Sequence, residues 1–102
     1  MCRACMAAVI APEGDQQRIR RAAGLEVQVS DLASSSSELD PSASFDVLII
    51  LGAVEPTTKE PALLAIGPDE PVWADHCIPD GDDLADRLPG AVVRALIERR
   101  KR

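Results

Sequence analysis

Aromatic side chains are nearly missing from this chain, which has one Trp, one Phe and no Tyr in 102 residues. Its core must therefore be aliphatic. Cysteine is sparse too: three residues, an odd number with no framework of spacings, fit reduced thiols better than a secreted disulfide scaffold. No apolar run reaches the roughly 18 residues of a membrane span, and the opening stretch MCRACMAAVIAPEGD lacks the apolar region and cleavage pattern of a signal peptide. These absences predict a cytoplasmic protein that does not engage membranes. Positive charge is also short, 11 Lys and Arg against 17 Asp and Glu, a net charge of −6 that argues against general affinity for nucleic acid. Between Gly24 and Asp86 the only Lys or Arg is Lys59, so the expected molecule is acidic with basic edges.

What remains is an ordinary apolar fraction, 46% of residues, enough for a single α/β domain over residues 1–102. Met6 to Ala11 (MAAVIA) ends at Pro12 and reads as a buried strand, after which Asp15 can cap a helix over Gln16 to Ala23, with Gly24 at its stop. Leu25 to Val29 alternates apolar and polar residues, as an edge strand does. Ala33 to Ser44 is a polar loop with at most one helical turn around Ser37 to Leu39. Phe45 to Ala53 (FDVLIILGA) is the most apolar, β-branched run and the expected central strand. Thr57 and Glu60 have capping-box spacing for a short helix over Lys59 to Ile66, and Pro71 to Cys77 supplies a fourth strand. An amphipathic helix over Asp82 to Arg102, bent or restarted at Pro89-Gly90, closes the chain. The expected fold is a small four-stranded parallel sheet in a flavodoxin-like three-layer arrangement.

Ligands of such sheets bind beyond the carboxyl ends of the strands, here Pro12 to Gln17, Gly52 to Thr58 and Cys77 to Asp83. VIAPEGDQQRIRR carries the strand-to-helix junction where free backbone N–H groups and the helix dipole suit an anion, with Gly14 and Arg18 as its candidates. The same four residues, Pro12-Glu13-Gly14-Asp15, also make a good turn and N-cap on local grounds alone.

FDVLIILG, followed by VWADHCIPDGDDLADRLPGAVVRALIE, resembles the low-molecular-weight phosphatase and arsenate-reductase family over the C-terminal half. That family places C-x5-R-[ST] after its first strand, where a thiolate attacks phosphorus, the Arg holds the oxygens and an Asp from a later loop protonates the leaving group. The resemblance puts Pro12 at the nucleophile position, Arg18 at the arginine, Ile19 at the hydroxyl and Asp80 at the general acid. Proline is no nucleophile, and Glu13 and Asp15 repel an incoming phosphate. The resemblance therefore implies fold more than activity.

Cys2-Arg3-Ala4-Cys5 with His76-Cys77 has the composition of a Cys3His zinc set. Parallel strands place the two pairs at opposite ends of the sheet, near 20 Å apart over six residues, so no metal site and no cofactor is expected. Asp80, Asp82 and Asp83 around Gly81 lack the spacing of a Ca²⁺ loop and read as a solvated turn before a helix. Three functions stay open: a non-catalytic, phosphatase-like module acting through protein contacts; a small enzyme or phospho-carrier using His76 or Cys77 with Asp80; and a metal- or redox-responsive protein using Cys2 and Cys5. For the first, the apolar stripe Val92, Val93, Leu96 and Ile97 is expected to dock on the sheet. The basic residues Arg94, Arg99, Arg100, Lys101 and Arg102 are expected to meet an acidic partner or a second copy.

Overall fold

A computed structural model describes residues 5–24, 27–35, 38, 45–52, 55–56 and 61–101. Apolar runs at the chain's start, middle and end become strands of one parallel sheet: β1 (Cys5–Ile10), β2 (Val27–Ala33), β3 (Val47–Leu51), β4 (Ala62–Ile66) and β5 (His76–Ile78). Helix α1 (Glu13–Ala22) follows β1 and helix α2 (Leu84–Arg100) follows β5. The spatial order is β2-β1-β3-β4-β5, with every described pairing parallel.

The sheet has five strands where four were expected, because the stretch read as a short helix from Lys59 to Ile66 contains β4. All five residues of Ala62–Ile66 are buried. The segment has no polar face to give a surface helix, and burial on both sides of a parallel sheet outweighs the modest helix propensity of Leu and Ala. Lys59, Thr57 and Glu60 lie outside the described residues, as does most of the predicted turn at Ser37 to Leu39.

Other boundaries move for local reasons. Helix α1 starts at Glu13 on Pro12, whose fixed φ suits the N-cap without a side-chain cap, so Asp15 sits inside the first turn. Gly24, at φ 83°, terminates it in the conformation that glycine adopts most readily. Strand β2 runs on to Ala33, with Ser30 bulged between the pairs Ala7–Val29 and Ala8–Asp31. Strand β5 begins only at His76, since Val72 and Trp73 occupy a turn. Helix α2 is continuous through Pro89 rather than restarted.

Alternation along the strands divides the core. Ala7, Val9, Val47, Ile49, Leu64 and Ile66 face α1 and α2, meeting Ile19, Ala22, Leu88, Val92 and Ala95. Ala8, Ile10, Leu48, Ile50 and Leu63 form a second cluster on the other face, with Phe45 and Trp73 against it. Alanines in β1, α1 and α2 allow the close packing that a core nearly free of aromatics needs. Asp46 and Asp75, each just before a strand, fasten the sheet's amino edge: their carboxylates accept the Met6 and Leu63 backbone N–H groups, both at 2.9 Å.

Candidate functional site

Between α1 and the loop that leads from β5 into α2 lies an open groove of about 860 Å³, lined by Gly14, Gln17, Arg18, Arg21 and Asp80 among others. Arg18 projects from the second turn of α1, since Glu13 is the first helical residue. Its guanidinium grips Asp80 with two hydrogen bonds, 2.9 Å to Oδ1 and 3.2 Å to Oδ2, and donates a third to Asp15 at 3.1 Å. The loop after β5 is thereby tied to α1. The Arg18 guanidinium, hydrogen-bonded to Asp80, holds that carboxyl below the ordinary carboxylate range. An anion entering here would meet an arginine already shared by two carboxylates.

Gly14, the other anion-binding candidate, is exposed in the first turn of α1, and a Cβ built on it would meet nothing within 4 Å. Where the strand order reverses, between β1 and β3, the strand ends present Ala11, Pro12, Leu51 and Gly52. None of these carries a nucleophile, an acid-base group or a metal ligand.

His76 and Cys77 are successive residues of β5, so their side chains leave opposite faces of this edge strand. His76 shares its face with Ile78 and α2, whereas Cys77 lies on the face of Leu63. Asp80 turns toward α1, on the face away from Cys77. Burial pushes the Cys77 thiol up, and the charge of Glu70 adds to that, so it stays protonated where a nucleophile needs a thiolate. The sheet thus does not gather His76, Cys77 and Asp80 into one constellation.

Cys2 lies outside the described residues. Cys5 opens β1, while Cys77 pairs with Ala65 across the ladders of β3 and β4, a separation of roughly 20 Å from strand spacing and rise. Asp83 precedes α2 and pairs with Arg87 one turn on, an arrangement internal to that helix start.

The outer side of α2 departs from expectation. Val92 is buried and Leu96 half-buried, but Val93 and Ile97 point into solvent, 54% and 42% exposed. The expected docking stripe is corrected to Leu84, Leu88, Ala91, Val92 and Ala95. At roughly 100° per residue, Val93 and Ile97 fall nearly opposite that buried set. Among the candidate basic residues, Arg94 and Lys101 each lie 3.5 Å from Glu98. Arg99 is half-buried and Arg100 exposed, while Arg102 lies outside the described residues. On α2 the sequence signal for the exposure of Val93 and Ile97 is that two adjacent pairs, Val92-Val93 and Leu96-Ile97, cannot both face one sheet.

No protein-family model matches this chain, and neither the curated proteins nor the solved structures contain a match. No described helix is long and apolar enough to cross a membrane.

Proposed function

We propose that this chain is a non-catalytic α/β module of flavodoxin-like arrangement, phosphatase-like only in outline, which acts through protein contacts on the outer face of α2. One observation carries the reading: two large aliphatic side chains, Val93 and Ile97, stand exposed one turn apart on the side of α2 facing away from its own core. An isolated surface helix normally turns polar residues that way. Apolar side chains flanked by charge are what the centre and rim of a contact surface require.

The strand ends support the same conclusion by their chemistry. The order 2-1-3-4-5 is that of flavodoxin-like sheets, which bind ligands at the β1/β3 switch point, although both described helices pack on one face of this one. Here the described strand ends, Ala11, Pro12, Leu51 and Gly52, carry no acid-base group, Arg18 is engaged by Asp80 and Asp15, and burial pushes the Cys77 thiol up. The resemblance to the phosphatase family implies Pro12 at the position of that family's nucleophile.

The test places a photo-cross-linking residue either at Val93 or at Gly14 and exposes the protein to a lysate of its source cells. Protein adducts are expected at Val93, lost with Ile97→Asp, and absent at Gly14. Adducts confined to Gly14 would overturn the reading. So would turnover of an aryl phosphate that vanishes with Arg18→Ala, or a phosphoryl adduct on His76 or Cys77.

A further inference from the structure

The outermost line of α2 is Asp86, Gly90, Val93, Ile97 and Arg100, all exposed. Its spacing of four, three, four and three residues is that of a seam between two paired helices. The seam is graded: acidic at the helix start, apolar in the middle, basic at the end. Neither Asp86 nor Arg100 has an ion pair among the described residues.

A line with this gradient is complementary to itself when reversed. Laid antiparallel on a second α2 about a two-fold axis at Val93, Asp86 meets Arg100 of the other copy, Val93 meets Val93, and Gly90 comes within one residue, about 1.5 Å of rise, of the level of Ile97. Both ends then satisfy opposite charge, as the isologous contacts of two-fold dimers require. From these residues we infer that the partner of α2 is a second copy of this chain, joined through an antiparallel α2–α2 contact. The inference rests on the reading of α2's outer face as the contact surface, and it names the partner.

Gly90 supplies an argument independent of charge. A glycine inside a helix is destabilising by about 1 kcal/mol relative to alanine. Nothing within the chain demands it, because a Cβ on Gly90 would meet no atom within 4 Å and its φ is not positive. Facing the Ile97 side chain of another copy, the missing side chain lets the helices approach closely.

The area limits affinity. Helix α2 has 17 residues, so the seam is about 25 Å long. Two such faces bury less than the roughly 1,200–2,000 Å² of a standard stable interface, which predicts micromolar rather than nanomolar association.

Sedimentation velocity across a concentration series at low salt tests this on the whole chain. Wild type is expected to shift from monomer to dimer in the micromolar range. Asp86→Arg and Arg100→Asp should each weaken the dimer about tenfold, and the double exchange should restore it to within about threefold, since it rebuilds both pairs with reversed sign. Gly90→Gln should abolish dimerisation while leaving the helix content by circular dichroism intact or higher. A monomer at every concentration, or a dimer indifferent to all of these variants, overturns the inference. If the chain stays monomeric while Ile97→Asp still removes cross-linked adducts at Val93, the second copy is excluded as partner and the contact reading stands.

Discussion

Arg18 joins two segments that the chain separates by 62 positions, and its bond to Asp80 is the main electrostatic link between α1 and the loop after β5. Both side chains remain more than a third exposed, so the pair contributes no more than about 1 kcal/mol. Its pH dependence has a definite sign. A carboxyl whose folded-state pKa is depressed stabilises the fold above its unfolded pKa, about 3.9, and that contribution disappears as pH falls through the lower folded value. Asp80→Asn should therefore lower the melting temperature slightly at neutral pH and not at the acid end, which a series of melts down to about pH 2 would show. Cys77 moves the other way: with Cys2 and Cys5 replaced by Ser, its alkylation rate should rise with pH through a midpoint above the ordinary thiol value of about 8.5. A midpoint near 7 would revive it as a nucleophile. At the sheet's opposite edge, Asp46→Ala removes the acceptor of the Met6 N–H and should cost about 1–3 kcal/mol in chemical denaturation, whereas Asn keeps a carbonyl acceptor and should cost less.

Elements differ in how plainly their residues announce them. VLIIL in β3 was legible because a β-branched run ended by glycine fits a strand buried on both faces, and Gly52 indeed follows it at φ 94°. ALLAI in β4 was not, since Ala and Leu favour helix locally and the spacing of Thr57 to Glu60 mimics a cap; only the neighbours β3 and β5 decide the matter. In α2 the period of the apolar residues was clear but their direction was not. The side that docks depends on where the sheet lies, and Val93 and Ile97 were assigned inward when it is Ala91 and Ala95 that pack there. At the candidate site Arg18 and Asp80 were each singled out, but their union required the packing of α1 beside α2. Two substitutions in α2 separate folding from contact. Leu88→Ala, at a fully buried position, should lower unfolding free energy by about 2–5 kcal/mol. Gly90→Ala should raise it by about 1 kcal/mol, because the added methyl meets open space and the helix gains propensity; calorimetry at a concentration low enough to keep the chain monomeric reads both.

Across the whole molecule, charge is segregated along the sequence. With 17 acidic against 11 basic residues, and Lys59 alone among Lys and Arg between Gly24 and Asp86, the chain is acidic overall while keeping a basic end on α2. An α2-mediated contact that pairs Asp86 with Arg100 should weaken as ionic strength rises toward physiological values, where the screening length falls to about 8 Å. Its apolar centre at Val93 and Ile97 should persist, so the salt dependence is partial. The most direct measurement is disulfide trapping at the symmetry axis. With the three native cysteines replaced by Ser, Val93→Cys places one thiol on each copy where the two α2 helices cross. The account predicts a covalent dimer under mild oxidation, reduced by Gly90→Gln and far exceeding that formed by an exposed control, Asp69→Cys. Equal trapping at both positions, or none at Val93, would contradict it.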